Sequence, residues 1–190
     1  MRCFASRGFR GTTTRDVAGE VGISEAALYR YFESKEALYA AIVDEKIRAD
    51  EWVAPLEAAA ARGDDRAVFG GLARHLLENT EADPSFLRIL LYTALEGHAL
   101  AEPFVANRVV RLREFLADYI AERIAQGVFR KVSPRLAARA FLGMAVDYLI
   151  VREVYEQRED YPEPASEVVD TFLEIFLNGV RQSPERGHER

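Results

Sequence analysis

Thr12-Thr13-Thr14-Arg15-Asp16-Val17-Ala18-Gly19-Glu20-Val21-Gly22-Ile23-Ser24-Glu25-Ala26-Ala27-Leu28-Tyr29-Arg30-Tyr31-Phe32 is the stretch that decides the fold. Thr13 followed three residues later by Asp16 has the form of a capping box, so a short helix is expected over Thr14 to Val21. Gly22 ends it, because glycine alone takes up the positive φ of a tight turn at no steric cost. Ser24 is the N-cap of a second short helix to about Tyr31, and Ser34 caps a longer third one from Lys35 to about Glu51. Ala18 is small enough to let the first two helices cross closely. Val17, Val21, Ile23 and Leu28 fall at the inward positions, which leaves the outer face of the second helix free.

The same punctuation continues along the chain, and no alternating Val/Ile/Thr run of strand type lasts more than a few residues, so the expected fold is all-α. After a turn at Arg62-Gly63-Asp64, Arg66 to Asn79 reads as a helix with Phe69, Leu72, Ala73, Leu76 and Leu77 on one stripe. Asp83-Pro84 opens another, which Gly97 stops. The next spans about Pro103 to Ala125, with Val105, Val109, Leu112, Leu116 and Ile120 on one face, and ends at Gly127. Ser133-Pro134 opens a helix to about Glu159, and the break Tyr161-Pro162-Glu163-Pro164 separates it from a last one over Ala165 to Val180. The expected organisation is an N-terminal helix-turn-helix unit at 1–46, a larger helical unit at 47–182 and a polar tail at 183–190. The boundary near 46–50 is expected to lie within one continuous helix.

Composition narrows the function classes. The chain has 190 residues, 49% of them hydrophobic, enough for a real core. A single cysteine, Cys3, excludes an intramolecular disulfide. His75, His98 and His188 are too scattered for a metal centre, so neither a metal nor a cofactor is expected. The longest apolar stretch, Ala140 to Val151, carries Asp147 and is too short to span a membrane. The start, MRCFASRGF, lacks a signal-peptide apolar region. A soluble, cytoplasmic protein is the expectation. Net charge is −6 overall, yet Met1 to Lys35 holds six bases against four acids, so a mildly basic end stands on an acidic body. GxSxG, Walker, GxGxxG and HExxH patterns are all lacking, and no enzyme activity is expected.

A helix held at a fixed angle with one face free suits the DNA major groove, which admits an α-helix. Glu25, Ala26, Ala27 and Arg30 are the candidates for base edges, the alanines allowing close approach and apolar contact with thymine methyls. Thr12, Thr13, Ser24, Tyr29 and Lys35 are donors suited to phosphates, with Lys35 expected to meet one phosphate beside the start of its helix. Tyr31 is a further candidate contact. In the body, Phe69, Phe86, Tyr92, Phe115, Tyr119, Met144 and Tyr148 are candidates to line a cavity for a mainly apolar ligand. Leu136, Ala140, Phe141, Met144 and Tyr148 on one helix, with Val169, Phe172, Leu173, Phe176 and Val180 on the other, give the last two helices more apolar surface than packing on their own body requires. They are expected to form a dimer interface. The rival reading is a helical protein-interaction module that does not bind DNA.

Gly8-Phe9, Thr12-Thr13, Val17-Ala18, Gly22-Ile23-Ser24, Ala26-Ala27-Leu28-Tyr29-Arg30-Tyr31-Phe32 and Ser34-Lys35-Glu36-Ala37-Leu38 together resemble the N-terminal pattern of the tetracycline-repressor (TetR) family. The match covers about the first fifth of the chain. The resemblance implies an all-helical homodimer, usually a repressor, released from operator DNA by a small molecule held in the C-terminal domain. A twofold dimer also implies a near-palindromic operator. Members carry a full first helix before the Gly-aromatic pair. Met1 to Arg7 stands there in this chain, so either that helix is shortened or the start lies upstream.

Overall fold

A computed structural model describes residues 1–48, 53–96 and 109–182, with side chains of 46–48 left aside. Among these residues the fold is all-α. In order come α1 (Arg2–Arg7), α2 (Thr14–Glu20), α3 (Glu25–Leu28), α4 (Lys35–Arg48), α5 (Val53–Ala61), α6 (Asp65–Ala82), α7 (Ser85–Glu96), α8 (Arg111–Ala125), α9 (Pro134–Leu149) and α10 (Ala165–Val180). A π-helical turn, Ile150–Val154, continues α9. The helix expected to run to Glu159 therefore stops short: the π turn loosens the ladder, and Glu156 then takes φ 60°, which a helix cannot continue. The expected crossing of 46–50 as one helix, the stop at Gly97, the start at Pro103 and the polar tail lie outside the described residues.

Two hydrophobic clusters hold these helices. The larger joins Leu56 of α5, Phe69, Leu72 and Leu77 of α6, Leu116 and Ile120 of α8, Phe141 and Leu149 of α9, and Val169, Leu173 and Phe176 of α10. Phe69 is its centre, with ring centroids 4.9 Å from both Phe141 and Phe176. Gly70 lets α10 approach: a Cβ there would stand 3.0 Å from Leu173 Cδ1. At one edge, the buried carboxylate of Asp65 accepts from the Tyr119 hydroxyl (2.7 Å) and from Arg123 Nε (2.8 Å). Burial, and then the bond to Asp65, push the Tyr119 hydroxyl well above the usual phenol range.

This packing revises the expected dimer residues. Phe141, Val169, Leu173, Phe176 and Val180 are buried inside the protomer itself. The stripe Val169, Leu173, Phe176, Val180 follows the i, i+4, i+7, i+11 spacing of a face turned to α6, so it cannot also face a second chain. Of the expected set, Leu136 is 70% exposed, Ala140 is exposed, and Met144, Tyr148 and Phe172 are half-buried. The outward stripe instead includes Gly143, Asp147 and Ile175, the last 60% exposed.

The second cluster belongs to the N-terminal helices: Phe4, Phe9, Val17, Ala18, Leu28, Leu38, Tyr39 and Val43, closed by Ile89 of α7. Phe4 and Phe9 both set their rings edge-on against Tyr39, at 5.0 and 5.3 Å. Val17 and Leu28 point inward as expected, but Val21 and Ile23 are 59% and 40% exposed. Helix α2 ends at Glu20, so Val21 no longer follows its inward stripe, and Ile23 lies beyond the Gly22 turn.

Candidate nucleic-acid interface

Local chemistry sets the geometry of α2 and α3. Thr13 Oγ1 accepts from the Asp16 amide at 3.1 Å, while Asp16 Oδ2 accepts from the Thr13 amide at 2.9 Å, completing the capping box. The bonds from the Thr13 backbone and hydroxyl, in that order, hold the Asp16 carboxyl below its ordinary range. Gly22, at φ 72°, turns the chain, and the Ile23 amide bonds back to Ala18 O at 3.0 Å. Ser24 Oγ then accepts from the Ala27 amide at 3.1 Å and starts α3. Leu28 anchors α3 in the N-terminal cluster, which leaves Ala26 and Arg30 on the opposite, solvent side.

Most of the expected DNA-contacting residues are on the accessible surface of this unit. Thr13, Ser24, Glu25, Ala26 and Arg30 are exposed, Tyr29 and Tyr31 are 49% and 74% exposed, and Ala27 is half-buried. Two expectations need correction. Thr12 is fully buried, and its hydroxyl is committed to Cys3 O (3.0 Å) and Gly8 O (2.8 Å), so it braces the turn after α1 and does not face a phosphate. Lys35 stands at the start of α4, but its ammonium points back into the unit. It donates to Phe9 O and Thr12 O, both at 2.8 Å, and lies 4.2 Å from the Phe9 ring centroid. Two backbone carbonyls and an aromatic face outcompete solvent for that charge.

Thr14 is a residue the sequence reading passed over as a plain helix start. Its hydroxyl meets Glu25 Oε1 at 2.5 Å and the Tyr29 hydroxyl at 3.3 Å, tying α2 to the outward side of α3. Glu96 is another. Its carboxylate accepts from the amides of Phe9 (3.2 Å) and Arg10 (3.3 Å), and Arg10 Nη2 bonds its carbonyl at 3.2 Å. With Tyr92, whose hydroxyl donates to Ser6 O at 3.1 Å, and Thr93, which hydrogen-bonds Tyr39, it fastens α7 to the N-terminal unit.

These contacts also revise the expected ligand-lining set. Tyr92 is at the junction just described, and Phe86 packs against the N-terminal cluster. Phe69 and Tyr119 are buried in the solid core of the body, and Phe115 packs against it. Met144 and Tyr148 of the set line a cavity of about 290 Å³, together with Asp147, Val151, Tyr161 and Phe172. Tyr148 holds the Tyr161 and Phe172 rings edge-on, each at 5.9 Å. Among the described residues no His, Cys, Asp and Glu side chains group to hold a metal ion, and no helix is long and apolar enough to cross a membrane.

Residues 1–42 match the family described as bacterial regulatory proteins, tetR family, and residues 73–179 match the C-terminal domain described as that of an AefR-like transcriptional repressor. The HTH-type transcriptional repressor KstR2 of Rhodococcus jostii is 29% identical over 188 residues, covering 93% of this chain and 85% of its own. The HTH-type transcriptional regulator RutR of Escherichia coli is 29% identical over 132 residues, 70% of this chain and 61% of its own. Among solved structures, the ketosteroid transcriptional regulator KstR2 of Mycobacterium tuberculosis superposes with a TM-score of 0.68 at 25% identity, covering 96% of this chain and 91% of its own. AibR in complex with isovaleryl coenzyme A and operator DNA shares the fold, with a TM-score of 0.72 at 21% identity over 92% of this chain and 91% of its own.

Proposed function

Because the chain belongs to the tetR family of bacterial regulatory proteins, we propose that it works in the bacterial cytoplasm as a homodimeric repressor of near-palindromic operators, released by a small, mainly apolar effector. The observation that carries the reading is the outward face of α3. Its inner side is pinned by Leu28, its start is capped by Ser24, and Ala26 on the helix and Arg30 in the turn that follows it both face solvent. A small residue beside an exposed guanidinium suits close approach to base edges in a major groove. Ser24 and Tyr31 stand around it as candidates for phosphates, which position the protein without reading sequence, whereas the Thr13 hydroxyl is already given to Asp16 Oδ2 at 2.7 Å and the Tyr29 hydroxyl lies 3.3 Å from Thr14 Oγ1.

The outward stripe Leu136, Ala140 and Gly143 of α9, with Ile175 and Gly179 of α10, supports a dimer face on these helices. Small residues at Ala140, Gly143 and Gly179 suit close helix approach, and Leu136 and Ile175 supply apolar area to bury. The cavity walled by Met144, Tyr148, Val151, Tyr161 and Phe172 supports an apolar effector of modest size, since about 290 Å³ is near the lower end of small-molecule pockets. Asp147 is the one carboxylate in its lining. The domain division at 46/47 enters the proposal with one qualification: Ile89 of α7 completes the N-terminal cluster.

Gel-shift titration of the DNA upstream of the gene with the full-length protein tests the reading. A shift should form, be competed by the same sequence and not by an unrelated one, and dissolve on addition of a matching hydrophobic compound from a thermal-shift screen. If no upstream fragment shifts at low salt, the repressor reading fails.

A further inference from the structure

Glu25 is exposed at the start of α3 and is not required for packing, yet one of its oxygens is held. Thr14, 9% exposed on α2, contacts Glu25 Oε1 at 2.5 Å and the Tyr29 hydroxyl at 3.3 Å. An ionised carboxylate only accepts hydrogen bonds, so the Thr14 proton lies toward Glu25. The Thr14 oxygen is then the acceptor for Tyr29, and the chain runs Tyr29 O–H to Thr14 O–H to Glu25. The tether fixes Oε1, while Oε2 has no protein partner among the described residues. A long, rotamer-rich side chain is thereby held before any DNA arrives.

We propose that Glu25 reads a cytosine in each operator half-site and that Thr14 is its positioning residue. This rests on the DNA-binding reading above. Guanine shows only acceptors, N7 and O6, to the major groove, and thymine shows the O4 acceptor and a methyl group, so neither can pair with a carboxylate. Adenine offers its N6 donor beside the N7 acceptor, which repels the second oxygen. Cytosine offers the N4 donor alone. A negative group carried toward DNA gains nothing from the phosphates, so whatever Glu25 contributes is selection among bases rather than affinity. Arg30, exposed in the turn that follows α3, has the opposite chemistry and no ion-pair partner among the described residues, so it does not neutralise Glu25 within the protein. The tether sharpens the choice, because a carboxylate already fixed at one oxygen cannot swing to avoid a wrong base.

Selection from a pool of randomised DNA by the full-length protein, read by sequencing, tests this. The wild type should enrich cytosine at one position in each half-site, by roughly 5- to 150-fold over each other base. Glu25→Gln should move that position to adenine, since an amide matches the adenine N6/N7 pair. Thr14→Val should flatten the preference there alone, and Thr14→Ser, which restores the hydroxyl, should recover it. A motif unchanged in Glu25→Gln overturns the cytosine assignment while leaving DNA binding intact, and a sharp preference in Thr14→Val overturns the role of Thr14. A wild type that enriches no sequence overturns the DNA-binding reading and the assignment together. Should Thr14→Val fail to fold, Glu25→Gln, at an exposed position, still decides the cytosine assignment.

Discussion

Replacing Lys35 by Met keeps the aliphatic stem and removes the ammonium, which separates two jobs that position has in principle: bracing the N-terminal unit or gripping a phosphate. In the structure the ammonium donates to two carbonyls, Phe9 O and Thr12 O, each at 2.8 Å, and stands over the Phe9 ring. Hydrogen bonds from a charged donor contribute about 1.5–3 kcal/mol each, and a partly exposed cation–π contact about 0.5–1 kcal/mol. Taking the lower ends gives about 3.5 kcal/mol. Lys35 is half-buried, so water recovers part of the lost bonding to both carbonyls. A loss of about 2 kcal/mol is the working figure.

Urea denaturation of wild type and Lys35→Met measures that loss, and DNA titrations across a range of salt measure the other job. A bracing lysine predicts a stability loss of about 2 kcal/mol with the slope of log K against log salt unchanged. A phosphate-gripping lysine predicts a slope shallower by about 0.9 per subunit, close to 2 for a dimer, with little change in stability. Stability unchanged within about 0.5 kcal/mol together with a shallower slope would refute the bracing role. Faster hydrogen exchange at the turn after α1 should accompany the expected loss.

Leu136→Glu or Ile175→Glu, on the outward stripe of α9 and α10, should give folded monomers in sizing experiments at micromolar concentration, whereas Phe176→Glu, in the core, should unfold the body. If both outward variants stay dimeric, the interface lies elsewhere. Gly8→Ala should loosen the junction with α7: Gly8 sits at φ 70°, and a Cβ would collide with the Glu96 carboxylate and stand 2.8 Å from Tyr92 Cδ1. With ψ at −179° this backbone is one that only glycine adopts readily, and it costs an alanine about 1–3 kcal/mol, so amide exchange at Phe9 and Arg10 should accelerate at least several-fold, and exchange at wild-type rates would count against the clamp.

The helix-turn-helix was legible because its determinants are local. Thr13 and Asp16, Gly22, and Ser24 act on backbone within four residues of themselves, and the structure reproduces each of them. The span Ala165–Val180 was legible for the same reason, bounded by Pro164 and by the end of an apolar stripe. What escaped depended on partners distant in sequence. Lys35 is 26 residues from Phe9, and its partner there is a backbone carbonyl, which no residue pattern reveals. Thr12 reads as a surface donor until the turn it closes is seen. Helices α9 and α10 are apolar on more than one side, so periodicity counted too many interface residues and could not divide them between core and surface. Phe176 and Ile175 are neighbours in sequence, yet one is buried and the other 60% exposed.

On the effector-release reading proposed above, occupancy of the body has to reach α3, and α7 is where the contacts meet. An effector changes DNA affinity only if it favours one arrangement of the protein over another, and both sites must bias the same element. Helix α7 has 12 residues, about 18 Å of helix. Near its start, Arg88 Nη2 bonds Glu153 O at 2.8 Å and Glu156 Oε1 at 3.1 Å, on the π turn and the loop that follow the cavity-lining part of α9. At its end, Glu96 holds the Phe9 and Arg10 amides. Between them Ile89 is inserted into the N-terminal cluster, while Leu87 packs against the body. A shift of the π turn therefore pulls on one end of a helix whose other end grips the segment between α1 and α2. A hydrogen-bonded helix does not stretch to absorb such a pull, so the displacement has to appear as a rotation of the N-terminal unit or a break at Glu96. Rotation alters the spacing of the two α3 helices in a dimer, and half-site spacing is what a near-palindromic operator measures.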